Sequence, residues 1–295
     1  MKAYYHLPGL FEFYKLYSVF LPLFREHQEY FYDWCDIGSI YGAPSDCIWA
    51  GGRVEIENGD AAAAIQFVND CNISARLTFS NSLLKEEHMG DKRCNALCDL
   101  LIKEKRVQNG IIIFSDMLLG YLKNKFPGLY FVSSTTKVLD DFDQLTCELE
   151  RDDFRYVVAD FRLNKELGRL KELLHKDKVE FLCNECCSIE CGDRKACYEA
   201  VSRLNLGIDA PPHICRSRDG DKGYSFYTAM HNPAFIGIDD IIGVYGPMGF
   251  DNFKIEGRGL GSAMLLEFLL YYMVRPEYHI KIREDIYLDS MLDLF

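Results

Sequence analysis

Residues 110–115 read GIIIFS and residues 156–159 read YVVA, apolar on consecutive positions rather than alternate ones. A strand covered on both faces has this pattern, and parallel strands flanked by helices are its usual setting. Outward from these two, further short apolar runs lie at 3–7, 37–41, 75–80, 129–134, 179–183 and 252–256. With 110–115 and 155–160 they make eight strands. Segments of helical period fall between and after them, near 9–30, 60–71, 91–106, 116–125, 140–150, 164–176, 193–205, 237–249 and 260–274. Eight strands in βα alternation predict an α/β fold of the (β/α)8 TIM-barrel type, regular or irregular, with a doubly wound open sheet as the rival. The spacing is uneven. About seventy residues separate the seventh strand from the eighth, and long insertions at strand C-termini are where barrels build their sites.

A length of 295 residues suits one such barrel, and 48% apolar residues suffice for a large core. No internal repeat or Pro/Gly/Ser-rich linker divides the chain, so residues 1–295 are read as one domain with a cysteine-rich metal-binding segment at 183–215. The formal charge is -12 and no dense Lys/Arg run occurs, which argues against strong nucleic-acid or anionic-membrane binding. The start, MKAYYHLPGL, has no secretory pattern. The greasy stretches 16–24 and 264–274 are too short to span a bilayer and read as barrel helices. A cytoplasmic location is expected, where the 12 cysteines stay reduced unless a metal takes some of them.

Five of those cysteines fall within CNECCSIECGDRKAC: Cys183, Cys186, Cys187, Cys191 and Cys197; Cys215 follows. Thiolates at such separations converge on a soft metal when a turn brings them to one side. The spacing Cys187-x3-Cys191-x5-Cys197-x17-Cys215 is neither a tandem zinc ribbon nor a bacterial ferredoxin run. An iron–sulfur cluster and a structural zinc both remain open on this donor set. Cys187, Cys191 and Cys215 are the expected metal ligands, with the fourth from Cys47, which follows strand two in Tyr41-Gly-Ala-Pro-Ser-Asp-Cys47, or from Cys197; all five are expected around the cofactor. Cys71, Cys94, Cys98 and Cys147 lie on expected helices and read as ordinary buried core thiols. Arg53, Asn81, Asp160, Arg162, Asn184, Glu185, Glu256 and Arg258 fall at or beyond strand ends, positions that converge on one pocket in a barrel. Among them Glu185, Glu256, Arg258, Arg53 and Asp160 are the catalytic candidates. Arg53 and Arg258 suit a carboxylate or phosphate by their forked donors, and Glu185 beside thiolates suits an acid. The competing reading of Asp160, Arg162, Glu256 and Arg258 is as salt bridges and loop anchors. No serine-nucleophile elbow, zinc-protease helix, P-loop or dinucleotide fingerprint occurs.

The segment GFDNFKIEGR at 249–258 resembles the FKIEGR strand near the end of the collagenase-like peptidases, the unassigned peptidase family 32. As in that family, it follows clustered cysteines: Asn184-Glu185, then Cys187, Cys191, Cys197 and Cys215, then Glu256 and Arg258. Tyr41-Gly42, Gly51-Gly52-Arg53 and Ser133-Ser134-Thr135 are similar to family material in the front half. The resemblance implies an eight-stranded barrel and a [4Fe–4S] cluster held by four cysteines. It also implies oxygen-independent hydroxylation, or a related redox modification, of a small aromatic molecule such as a quinone precursor, or of a nucleobase; other members are still called peptidases. The chain is closest in size to short members that work as a pair of similar subunits, so a homologous partner in a homo- or heterodimer is an expectation. The alternative is a peptidase-like or substrate-binding barrel with a structural zinc, taking a small-molecule or peptide substrate, or an accessory subunit of a larger assembly.

Overall fold

A computed structural model describes residues 1–52, 60–103, 106–209, 211, 213–214, 225–257 and 259–288. Its centre is a closed barrel of eight parallel strands in sequence order. The strands are β1 (Ala3–Pro8), β2 (Cys35–Gly42), β3 (Ser74–Phe79), β4 (Gly110–Ile113), β5 (Tyr130–Ser133), β6 (Tyr156–Ala159), β7 (Val179–Leu182) and β8 (Asn252–Lys254). β1 pairs with both β2 and β8, which closes the ring and leaves no strand edge. The eight apolar runs in the sequence are these eight strands.

Helices follow the strands as expected: α1 (Tyr14–Glu26), α2 (Ala61–Asp70), α3 (Lys92–Lys103), α4 (Asp116–Lys125), α5 (Phe142–Leu149), α6 (Leu167–Glu172) and α7 (Arg194–Asn205). Local chemistry fixes several starts. Asp60 caps α2 by accepting from Ala62 N and Ala63 N, Ser115 caps α4 from Leu118 N, and Asp141 caps α5 from Asp143 N and Gln144 N. Each such cap is worth about 1 kcal/mol, and each sits a few residues before its helix's apolar stripe.

The stretch after β7 departs from expectation. α8 (Phe226–Met230), which Ser225 caps, has too short an apolar stripe to register in the sequence. The helix expected over 237–249 is α9 (Ile238–Asp240) running into a π-turn over Ile241–Tyr245, where Gly243 and Gly246 weaken regular helix. α10 (Ser262–Met273) is the greasy helix, with Leu265, Leu266, Phe268, Leu269, Leu270, Tyr272 and Met273 all buried. α11 (His279–Ile286) was not expected; it packs on α1, and its Ile282 and Ile286 are buried. Among the described residues no helix is long and apolar enough to cross a membrane.

The main core lies between the strands and the helical ring, with Leu7, Leu77, Phe79, Ile111, Ile113, Phe181 and Phe253 facing outward into it. A small second cluster, Tyr41, Ile112, Tyr130, Val132 and Val158, fills the lumen. One irregularity shapes that lumen. The β1–β2 register skips a residue, Tyr5 pairing Ile37 and His6 pairing Ser39, so Gly38 is an extra residue in β2. A Cβ on Gly38 would stand 2.7 Å from His6 Cε1, a clash that only glycine avoids.

Candidate active site at the barrel mouth

The lumen is charged where the strand pattern alternates. In β3, Ser74, Arg76 and Thr78 alternate with Ala75, Leu77 and Phe79. Arg76 reaches across to Glu180 of β7, a strand that is not its neighbour, so both side chains lie inside the barrel. Arg76 Nη1 donates to Glu180 Oε2 at 2.5 Å and Arg76 Nε to the Tyr130 hydroxyl at 2.8 Å. Lys254 Nζ donates to Glu180 Oε1 at 3.0 Å and sits 3.8 Å from the centre of the Tyr41 ring. His6 Nε2 lies 3.5 Å from Glu180 Oε2 and its ring contacts Ser39 and Asn252.

All of these groups are buried. Burial, then the charge of Arg76, pushes the His6 imidazole down to about 3, so it is neutral at physiological pH. Burial alone would raise the Glu180 carboxyl. The positive groups around it, His6 when protonated, Lys254 and Arg76, more than offset that and hold it well below the usual carboxylate range. Arg76, Glu180 and Lys254 were not among the candidates drawn from the sequence. The signal was present as the polar half of a two-residue alternation within runs read only for their apolar half.

The cysteine segment begins where β7 ends. Asn184 clamps the mouth: its Nδ2 donates to Glu256 O at 2.8 Å and its Oδ1 accepts from Glu256 N at 2.7 Å, tying the exits of β7 and β8. Glu185 shapes the next turn. Oε1 accepts from Cys186 N (2.9 Å) and Cys187 N (3.0 Å), while Oε2 accepts from Arg194 Nη2 at 2.7 Å. Arg194 opens α7 and is buried. Its Nε stands 3.6 Å from Asp160 Oδ2, and its guanidinium lies over the rings of Phe161 and Tyr198. Asp160 also takes Arg162 Nε at 2.7 Å, and Arg162 Nη1 donates to Cys191 O at 3.3 Å. Asn232 Nδ2 donates to Cys187 O at 2.8 Å. The backbone of the cysteine turn is thus held from several sides. Arg194, Cys197 and Tyr198, at i, i+3 and i+4, share one face of α7.

That face and that turn enclose a cavity of ≈ 90 Å³ at the C-terminal ends of the strands. Cys187, Cys191 and Cys197 line it, with Glu185, Glu256 and Lys254. Thr78, Ser80 and Thr135 complete its polar wall, and Tyr41, Ile112 and Leu182 give it apolar faces. The mouth therefore gathers Glu185, Glu256, Cys187, Cys191 and Cys197 as the sequence analysis expected. Three of its candidates, Arg53, Cys215 and Arg258, lie outside the described residues.

Two placements differ from expectation, and one residue takes a new partner. Cys47 does not line the cavity; it is buried in the core with its Sγ 2.9 Å from Sγ of Cys94 on α3. Asp160 stands behind the cysteine turn as an anchor for Arg162 and Arg194, away from the cavity lining. Glu185 meets Arg194, a partner the sequence did not suggest because the two converge only through the fold of the turn. Asn81 also anchors, donating to Ile48 O and to Ser202 O on α7. Cys183 is fully buried in the core, and burial pushes its thiol well up. Gly51 abuts the backbone after β3; a Cβ there would stand 2.2 Å from Ser80 O, which only glycine tolerates.

Thiolates are donors for soft metals. Among the described residues no three His, Cys, Asp or Glu side chains already stand together as a ligand set. Three thiols nonetheless open on one cavity from a single 11-residue stretch whose backbone is fastened on several sides.

No family model and no curated protein matches the chain. Among solved structures, the U32 peptidase Mk0906 superposes with a TM-score of 0.53 at 13% sequence identity, covering 86% of this chain and 92% of that one. At that identity the likeness shows the fold: the chain forms a U32-peptidase-like α/β barrel.

Proposed function

We propose that the mouth cavity is an active site built around a thiolate-bound iron–sulfur centre of the [4Fe–4S] type, acting on a small aromatic molecule or nucleobase by oxygen-independent hydroxylation or a related redox modification. The observation that carries this reading is that Cys187, Cys191 and Cys197 all line one cavity at the C-terminal end of the barrel strands. These three, with Cys215, would hold the centre, which supplies one-electron redox chemistry when bound.

The chain's own residues do the rest. Glu185 fixes the amides of Cys186 and Cys187, and Arg162 and Asn232 hold the carbonyls of Cys191 and Cys187, so the thiols are presented in a preset geometry. Arg194 neutralises Glu185 and Asp160 beside the thiols without itself entering the chemistry. Tyr41, Ile112 and Leu182 offer apolar surface to a ring, and the polar wall orients its substituents.

The competing reading is a peptidase-like or substrate-binding barrel with a structural zinc; the likeness to a U32 peptidase supports its peptidase-like part at the level of the fold. Reconstitution of the full chain with iron and sulfide under nitrogen separates the two. A brown protein whose visible absorption bleaches on reduction supports the redox reading. A protein that stays colourless and instead retains zinc through gel filtration supports the other.

A further inference from the structure

The loop that leaves β2 and the start of α3 are fastened to each other at two consecutive positions. Arg93 Nε donates to Asp46 Oδ2 at 2.9 Å, and one residue further along both segments Sγ of Cys94 stands 2.9 Å from Sγ of Cys47. Cys94 is 0% and Cys47 1% exposed. A contact of that length is short for two separate thiols. Carbon atoms settle at about 3.5–4.0 Å, sulfur is the larger atom, and a thiol is too weak a donor and acceptor to draw another one closer. A disulfide, with its sulfurs about 2.0 Å apart, is the arrangement that brings two of them inside that range. A metal does not account for the pair. Among the described residues no three His, Cys, Asp or Glu side chains stand together as a ligand set.

The same loop carries part of the cavity wall. Trp49 O accepts from Asn81 N at 3.0 Å, and Ile48 O accepts from Asn81 Nδ2, which also donates to Ser202 O of α7. Ala50 O accepts from Asn205 Nδ2 at 2.6 Å. The residues just after Cys47 therefore form the footing of the C-terminal end of α7, whose other end brings Arg194, Cys197 and Tyr198 to the cavity.

We propose that Cys47 and Cys94 are joined as a disulfide, a covalent staple that ties the β2 loop to α3 and so anchors the footing of α7. The staple is separate from the metal reading, since neither residue lines the cavity. The bond forms by exchange with a small-molecule disulfide of the glutathione type. One protein thiolate attacks it and displaces the first small thiol; the second protein thiolate attacks the mixed disulfide and displaces the other. The protein thiols lose two electrons and two protons, and the oxidant leaves as two thiols. The contact with Cys47, then burial, pushes the Cys94 thiol well up, so the pair is inert once the core has packed. The exchange accordingly precedes closure of the core. A bond sealed there is out of reach of the reductants that keep exposed cysteines reduced. Its ends are 47 residues apart, a loop long enough for the cross-link to restrain the unfolded chain strongly.

The test is peptide mass spectrometry of the full chain, purified under nitrogen without added thiol and alkylated in denaturant before any reductant is present. The expected result is a Cys47 peptide linked to a Cys94 peptide, lighter than the two thiol peptides by the hydrogens lost, with Cys98 alkylated. Dithiothreitol is expected to leave the bond intact in the native protein and to cleave it once denaturant is added. Alkylation of both Cys47 and Cys94, or a bond from Cys47 to Cys98 instead, overturns the proposal. Cys47→Ala and Cys98→Ala give a second readout. Each removes one buried thiol, but only the first removes the bond, so Cys47→Ala is expected to melt about 5 °C or more below Cys98→Ala. Equal melting of the two variants also overturns the staple.

Discussion

Glu180→Gln probes the charge arrangement inside the barrel. The substitution keeps the side-chain shape and one acceptor but removes the carboxylate that Arg76 and Lys254 share, at 2.5 and 3.0 Å. Two buried cations are then left facing a neutral amide. Removing one partner of a buried ion pair costs about 3–5 kcal/mol, mostly as the desolvation of the charge left behind. Unfolding entropy of about 2.1 cal/mol/K per residue gives about 0.6 kcal/mol/K for a chain of this length. The melting temperature is therefore expected to fall by about 5–8 °C, and the urea midpoint to fall with an unchanged slope. Lys254→Met is the informative companion. It leaves Arg76 and Glu180 as a one-to-one pair, so it is expected to cost less than half as much. A Glu180→Gln protein that melts within about 1 °C of wild type, or a Lys254→Met protein less stable than Glu180→Gln, would refute the reasoning.

Three further expectations follow from the same geometry. His6 has a folded pKa of about 3, below its unfolded value, so its neutral form contributes stability that is complete above about pH 6.5 and is lost as pH falls towards 3. The slope is at most about 1.4 kcal/mol per pH unit, and urea melts between pH 6.5 and 4.5 should show it in wild type and not in His6→Asn. Cys94→Ala/Cys98→Ala alters two core thiols on α3 away from the cavity; the variant is expected to lose stability but keep its metal, and loss of metal would move the centre towards Cys47. RNA binding is expected to be weak and salt-sensitive, given the charge of -12; a sub-micromolar affinity at physiological salt would overturn that.

The barrel was legible because buried parallel strands leave unbroken apolar runs, and those at 110–115 and 156–159 are hard to read any other way. The lumen was less so. A barrel interior admits polar side chains when they pair across it, and Arg76 meets Glu180 over 104 residues of chain. No local pattern announces such a pairing, although the alternation in Ser74-Ala-Arg-Leu-Thr-Phe-Ser80 shows which residues share a face. At the mouth, the position of Cys187, Cys191 and Cys197 followed from strand order alone, because whatever leaves a barrel strand's C-terminal end reaches the same rim. Cys47 leaves β2 at that rim too, but the four residues between Gly42 and Cys47 turn its thiol into the core against α3. Strand order gives the end of the barrel on which a residue stands; the loop's own path decides whether its side chain faces the cavity.

The central claim is that the thiols of the mouth hold an iron–sulfur centre. Its most direct measurement is the iron, acid-labile sulfide and zinc content of anaerobically purified wild type beside Cys187→Ala/Cys191→Ala, with circular dichroism to confirm that both are folded. The account predicts iron and sulfide in equal amounts, about four of each per chain, in wild type and near none in the variant. Stoichiometric zinc in place of iron, or a variant that keeps its full iron and sulfide, would contradict it.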